Sequence, residues 1–130
     1  MAHRQSAKSV LLVEDEDSIA LALQFLIERE GHQVHRVADG VAAQAAIKEH
    51  RPDLVLLDIM MPGPSGYEIC QEIRRDPTLQ GVKILILTAS GNPMARRKSL
   101  ALGADGFLAK PFANEAVQGE VRRLLTERAA

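Results

Sequence analysis

The chain has 130 residues, of which 46% are hydrophobic and 25% are charged, and its formal net charge is −1. This length and mix are typical of one globular domain and exclude a disordered chain. A net charge near zero excludes a global basic field that would attract nucleic acid or anionic lipid. The apolar runs are far too short to span a bilayer, and residues 1–8 lack the apolar stretch of a signal peptide. Cys70 is the single cysteine, so no internal disulfide can form, and we expect a cytoplasmic protein.

Short apolar runs alternate with segments of helical spacing along the whole chain. The runs predict strands over residues 10–13, 34–37, 54–57, 82–87 and 107–109. An apolar face within residues 19–27 predicts the first helix, with Asp17 or Ser18 as its N-cap. Further helices are predicted over residues 41–50, 67–75 and 93–102 and along the apolar face of residues 117–125. Five strand–helix units in strict alternation indicate a parallel sheet covered by helices on both sides, although periodicity leaves the strand order open.

Polar residues follow four of the five predicted strands. Glu14 and Asp15 follow the first strand, Asp58 the third, Thr88 the fourth and Lys110 the fifth. Because parallel strands place their carboxyl ends at the same edge of a sheet, we expect these side chains to converge there. Ligands of open α/β sheets bind at this edge. The sequence therefore predicts the functional site beyond these strand ends.

The chemistry predicted at this edge is that of a phosphoryl group and a divalent cation. Two carboxylates about 4 Å apart repel by about 4 kcal/mol at an effective dielectric constant of 20, and Lys110 offsets only one of three charges. A magnesium ion is suited to balance the remaining negative charge, because it binds through one or two carboxylates and favours a phosphate as a further ligand. An aspartate beside a metal ion, a lysine and a threonine can take a phosphoryl group.

Four segments resemble the signature segments of response-regulator receiver domains. They are residues 13–16 (VEDE), 57–63 (LDIMMPG), 87–89 (LTA) and 110–112 (KPF). The resemblance extends from about residue 9 to residue 125 and implies a flavodoxin-like, doubly wound (βα)5 fold with a five-stranded parallel sheet of order 2-1-3-4-5. It divides the chain into an N-terminal extension, residues 1–8, and a receiver domain, residues 9–127, with no output domain in this chain.

The resemblance also implies a role for each residue of the metal site. Asp58 is the expected phosphoacceptor, which receives its phosphoryl group from a sensor histidine kinase or a histidine phosphotransfer protein. The expected cofactor is Mg²⁺ or Mn²⁺. Asp15 is expected to bind it directly and Glu14 through a water, and Asp58 and the backbone oxygen of Met60 complete the protein ligands.

The remaining implied residues belong to a phosphorylation switch. Thr88 is expected to bind a phosphoryl oxygen, and Lys110 to pair with the phosphoryl group and Asp58; the Lys110–Pro111 peptide is usually cis in this family. When Thr88 moves toward the phosphoryl group, Phe107 is expected to fill the vacated space. The face formed by the fourth helix, fifth strand and fifth helix would then change its affinity for a downstream protein.

Met60 and Ser90 hold the two positions that tune the lifetime of the phosphorylated state in this family. Methionine cannot donate a hydrogen bond to an attacking water, so we expect slow to moderate self-dephosphorylation.

Partners other than the phosphodonor follow from the resemblance alone. No DNA-binding, cyclase or kinase segment follows residue 130, so we expect a stand-alone regulator or a piece of a larger response regulator or hybrid kinase. We expect no direct binding of nucleic acid by this domain and no membrane association. A homodimer that depends on phosphorylation stays open.

Two other functions use the same edge of an α/β sheet. One alternative is a magnesium-dependent aspartyl-phosphate phosphatase of small substrates. Phosphatases of the haloacid dehalogenase type, however, have the motif Asp-x-Asp just after a strand, and its second aspartate is the general acid. Here the residue two beyond Asp58 is Met60, which has no proton to donate. A flavodoxin relative would need a phosphate loop rich in Ser, Thr and Gly after residue 13, where the acidic pair stands. We therefore expect a domain that catalyses its own phosphorylation and not a turnover enzyme.

Overall fold

The computed structural model describes residues 7–89 and 92–126, and within them five strands form one parallel sheet. The strands are β1 (Ser9–Val13), β2 (Gln33–Val37), β3 (Leu54–Asp58), β4 (Lys83–Thr88) and β5 (Gly106–Ala109). The helices are α1 (Asp17–Arg29), α2 (Gly40–His50), α3 (Gly66–Arg75), α4 (Pro93–Ala101) and α5 (Asn114–Thr126), with a short 3₁₀ helix (Pro77–Leu79) after α3. The order β2-β1-β3-β4-β5, with every neighbouring pair parallel, confirms the flavodoxin-like topology.

The sheet is buried on both faces at its centre. Along β3, Leu54 and Leu56 pack against α1 and α5, while Val55 and Leu57 pack against α2 and α3. Each of these side chains is fully buried, and full burial of one leucine contributes about 1.5–3 kcal/mol. None of the helices in the described ranges is both long and apolar enough to cross a bilayer. The central strands therefore form a rigid support, and the loops at their carboxyl ends carry the polar residues.

The start of α1 differs from the sequence prediction. We predicted Asp17 or Ser18 as the N-cap, but the helix begins at Asp17 and its N-cap is Glu16, which makes no side-chain cap hydrogen bond. Asp17 lies in the first helical turn, where its carboxylate pairs with the guanidinium of Arg36 at 2.9 Å. The acidic loop after β1 is therefore held by contacts with β2 and not by a local cap.

Cys70 lies on the buried face of α3 and should be unreactive in the native protein. Its thiol donates to the carbonyl oxygen of Leu102 at 3.5 Å, and burial raises its pKa to about 11. Because the thiolate is the reactive form, we expect Ellman's reagent at pH 8 to label native protein roughly a hundredfold more slowly than unfolded protein. Release of the coloured thiolate with and without denaturant measures the ratio. Equal rates would contradict the burial of Cys70.

Candidate functional site

The carboxyl ends of β1, β3, β4 and β5 bring the predicted polar residues to one edge of the sheet. Asp58 is the last residue of β3 and Thr88 the last of β4, and both are buried. The backbone N–H of Lys110, just beyond β5, donates to the carbonyl oxygen of Thr88 at 2.7 Å. Continued pairing of the strands thus places Thr88 and Lys110 beside the acidic residues, and the Lys110–Pro111 peptide is cis, as the resemblance implied.

The ammonium group of Lys110 bridges two buried carboxylates. Its Nζ lies 2.8 Å from Oε1 of Glu14 and 3.1 Å from Oδ2 of Asp58. Burial opposes the positive charge of Lys110, but the hydrogen bonds and charges of Glu14 and Asp58 outweigh burial and raise its pKa. Lys110 is therefore a fixed cation at the centre of the site. Its pairing with Asp58 was predicted from the resemblance, but its pairing with Glu14 was not.

Glu14 is a fully buried carboxyl group. Burial raises its pKa, with a smaller contribution from the charge of Asp58, while Lys110 and the N–H of Glu16 act in the opposite direction. Oε2 accepts the Glu16 N–H at 3.1 Å. Oε1 lies 2.8 Å from the Lys110 ammonium and forms an ion pair with it. Both oxygens of this buried carboxylate therefore have a partner.

Glu14, Asp15 and Asp58 form an acidic cluster that can hold a metal ion. One carboxylate oxygen of each residue lies within 4.8 Å of those of the other two, and Asp15 is exposed while the others are buried. Lys110 neutralises one of the three negative charges. Carboxylate oxygens around a residual negative charge are the donors that a hard divalent cation prefers. The donor set therefore fits a hard divalent cation such as Mg²⁺ or Mn²⁺.

The loop after β3 orients Asp58 and packs against the start of α3. The backbone N–H of Met60 donates to Oδ1 of Asp58 at 3.1 Å, while Oδ2 faces Lys110. Gly66 begins α3 against this loop, and a Cβ there would lie only 2.7 Å from the carbonyl oxygen of Asp58. A larger residue at position 66 would push α3 away, so this glycine keeps the helix close to the site.

Of the residues predicted for switching, Phe107 and Thr88 line separate grooves, and Thr88 shares its groove with Met60 and Lys98. Phe107 is half-buried in β5, where it packs against the core cluster that contains Ile86 and Cys70. It also lines an open cavity of about 670 Å³ between α4 and α5, together with Arg96, Glu115 and Arg123.

The two residues predicted to tune dephosphorylation are placed differently. The side chain of Met60 is 73% exposed beside Asp58. Ser90 lies outside the described residues.

Sequence analysis missed one residue that contacts the acidic loop directly. Arg36 of β2 donates from Nε and Nη2 to the carbonyl oxygen of Glu14, at 2.9 and 2.8 Å. An arginine within a half-exposed edge strand is indistinguishable from a solvent-facing residue in the sequence, and only the pairing of β2 with β1 brings it to this loop.

Comparison with known proteins places the chain in a family. Residues 10–122 match the family model of the response regulator receiver domain. Over 116 residues the chain is 36% identical to the phosphate regulon transcriptional regulatory protein PhoB of Rhizobium meliloti (strain 1021), a match that covers 89% of this chain and 51% of that protein. The chain thus spans about half the length of this curated relative.

Solved structures of similar proteins agree with the match. A putative response regulator from Chloroflexus aurantiacus J-10-fl superposes with a TM-score of 0.89 at 32% identity, covering 94% of this chain and all of that one (100%). The chemotaxis response regulator CheY4 of Vibrio cholerae superposes with a TM-score of 0.86 at 31% identity, covering 92% of this chain and 100% of that one. The chain belongs to the receiver domain family of two-component response regulators.

Proposed function

We propose that this receiver domain accepts a phosphoryl group on Asp58 in a reaction that requires Mg²⁺ or Mn²⁺. The observation that carries the proposal is the position of the Lys110 ammonium between the buried carboxylates of Glu14 and Asp58. Asp58 therefore lies beside the Lys110 ammonium and within the acidic cluster that could also hold a metal ion. The proposed donor is the phosphohistidine of a sensor kinase or of a histidine phosphotransfer protein.

The reaction uses Asp58 as a nucleophile. A carboxylate oxygen of Asp58 forms a bond to phosphorus while the bond from phosphorus to the donor nitrogen breaks, and histidine leaves. The Met60 N–H and Lys110 Nζ hold the two oxygens of Asp58 in place for in-line attack. The hydroxyl of Thr88 and the ammonium of Lys110 then bind the phosphoryl oxygens and offset the new charge, which is about −1.5 to −2.

The divalent cation would neutralise phosphoryl oxygens during transfer. Asp15 and Asp58 would bind it directly, together with the backbone oxygen of Met60, and Glu14 would act through a bound water. These carboxylates are ionised when the cation binds, so cation binding competes with protons. The buried position of Glu14 fits this indirect role, because its Oε1 already contacts Lys110.

The output is a change of shape on the face formed by α4, β5 and α5. Movement of Thr88 toward the phosphoryl group would allow Phe107 to turn inward from the groove that it now lines. Phosphorylation can shift this equilibrium only by the difference in its interaction with the two states. We propose that the face binds a downstream protein and is also the surface for any phosphorylation-dependent homodimer.

The remaining proposals concern the setting of the domain. We assign residues 9–127 to the receiver domain and propose that it acts in the cytoplasm without binding nucleic acid itself. Members of this family are signalling domains and not turnover enzymes. Met60 and Ser90 are proposed to give slow to moderate self-dephosphorylation.

Phosphorylation by a small-molecule donor tests the proposed function. With acetyl phosphate and Mg²⁺, we expect the intact mass to rise by one phosphoryl group and peptide mapping after borohydride reduction to place it on Asp58. With EDTA in place of Mg²⁺ we expect no gain, because the carboxylates would repel the donor. No mass gain with Mg²⁺, or a gain at another residue, would refute the proposal. Steady turnover of p-nitrophenyl phosphate would instead support the phosphatase alternative.

A further inference from the structure

We propose that Arg36 is a positioning residue for the metal site, on the premise that the acidic cluster takes up the divalent cation of the proposed phosphoryl transfer. Arg36 lies in β2 in register with Leu12 of β1, two residues before Glu14. Its guanidinium contacts the main chain of Glu14 and the side chain of Asp17, before and after Asp15, which is the exposed carboxylate of the cluster.

The contacts of Arg36 span the acidic loop. Nε and Nη2 donate as a fork to the carbonyl oxygen of Glu14, at 2.9 and 2.8 Å. Nη2 also lies 2.9 Å from the carboxylate of Asp17, the first residue of α1. One planar side chain therefore holds the main chain of the residue before Asp15 and also pairs with the exposed side chain of the second residue after it. A guanidinium is suited to this task, because its donors lie in a rigid fork.

The fork completes the constraints on Glu14. Its backbone N–H donates to the carbonyl oxygen of Val37 at 3.1 Å, which extends the β1–β2 pairing by one residue. Its side chain is held by Lys110 and by the N–H of Glu16. With the carbonyl oxygen held by Arg36, the peptide plane between Glu14 and Asp15 has one orientation. That orientation sets the direction in which Asp15 leaves the main chain.

Charge and positioning make opposite predictions for Arg36, which makes the inference testable. The guanidinium is a positive charge next to a site that binds a cation, so Coulomb repulsion alone would weaken Mg²⁺ binding. Removal of the charge would then tighten binding. If Arg36 acts by holding the loop, its removal weakens binding despite the loss of repulsion, since residues that orient metal ligands typically contribute about 10- to 100-fold in affinity.

The experiment is calorimetric titration of Mg²⁺ alone into the wild type, Arg36→Met and Arg36→Lys. We expect about tenfold weaker binding for Arg36→Met and about threefold weaker binding for Arg36→Lys, because an ammonium cannot donate as a fork. Arg122→Met is the matched control. Arg122 forms a bidentate ion pair with Glu30, which precedes β2 at the opposite edge of the sheet, and its replacement removes the same charge. We expect wild-type Mg²⁺ affinity for this variant.

The rate of phosphorylation by acetyl phosphate adds a readout that a general loss of structure would not give. Arg36→Met should need about tenfold more Mg²⁺ for half-maximal rate but reach nearly the wild-type rate at saturation. Unchanged or tighter Mg²⁺ binding by Arg36→Met would overturn the positioning role and leave the proposed function intact. Absence of Mg²⁺ binding by the wild type would refute the proposed function itself. If Arg36→Met does not fold, Arg36→Lys tests the positioning role instead: weaker Mg²⁺ binding supports that role, and unchanged or tighter binding overturns it.

Discussion

Asp58→Asn is expected to abolish phosphorylation by acetyl phosphate without weakening the fold. Asparagine keeps the shape of the side chain, and its amide oxygen can still accept from either the Met60 N–H or the Lys110 ammonium, but its amide is not a nucleophile toward phosphorus. The substitution also removes one of three negative charges that surround a single ammonium. We therefore expect the metal-free variant to be at least as stable toward urea as the metal-free wild type.

The response of stability to Mg²⁺ gives a second measurement on the same variant. A ligand at 100 times its dissociation constant stabilises a folded protein by about 2.7 kcal/mol. We expect the wild type to gain this amount in urea unfolding and Asp58→Asn to lose most of the gain, since the cluster would keep two carboxylates instead of three. Incorporation of phosphate into the variant, or an undiminished Mg²⁺ effect, would contradict the role of Asp58.

Asp76→Asn is the matched control for this experiment. Asp76 caps the short 3₁₀ helix by accepting the Thr78 N–H at 2.9 Å, and it lies after α3, at the opposite edge of the sheet. Asparagine is an equally good N-cap residue, so the change of charge is the same and the local structure is retained. We expect phosphorylation and Mg²⁺ stabilisation of wild-type size for this variant.

The fold could be predicted from the sequence because each level of the pattern agreed. Unbroken apolar runs such as residues 54–57 are typical of strands buried on both faces, and β3 proved fully buried. Strict alternation with helices then required a parallel sheet and placed Asp58 and Lys110 at one edge. Strand order came from the resemblance, because periodicity contains no information on which strands are neighbours.

The details that the sequence could not provide depend on side-chain directions across the fold. The ion pair between Lys110 and Glu14 joins residues 96 positions apart, and it forms only when the fold brings the loop after β5 next to the loop after β1. The contact of Arg36 with the Glu14 carbonyl depends on strand register in the same way. The 3₁₀ helix at Pro77–Leu79 was not predicted, since a proline marks a helix boundary without specifying the conformation of the residues after it.

Lys110→Met is expected to cause the largest loss of stability of any change at this site. Methionine keeps the length of the side chain but leaves the buried carboxylates of Glu14 and Asp58 without their common partner. Removal of one partner from a buried ion pair typically costs about 3–5 kcal/mol. Urea unfolding in EDTA measures the loss. Lys48→Met, which removes the same charge from an exposed position of α2, should change the free energy of unfolding by less than about 0.5 kcal/mol.

The pH dependence of this variant has a definite sign. Without Lys110, burial and Asp58 still raise the pKa of Glu14, while the ammonium that lowered it is gone. The folded state then binds a proton that the unfolded state has released at pH values above the ordinary glutamate pKa of 4.5. The contribution of Glu14 to stability in EDTA should therefore be complete below pH 4.5 and be lost as the pH rises through the raised pKa of Glu14, so that stability falls more steeply over this range than in the wild type.

Addition of Mg²⁺ to Lys110→Met separates the charge of Lys110 from its packing. A divalent cation supplies positive charge to the same carboxylates, so we expect Mg²⁺ at pH 7 to restore more stability to this variant than it adds to the wild type. A mere packing defect would gain no more stability from Mg²⁺ than the wild type does. A variant that gains only the wild-type amount from Mg²⁺, and whose stability follows the wild-type dependence on pH, would mean that Lys110 does not act as the counter-ion of the acidic cluster.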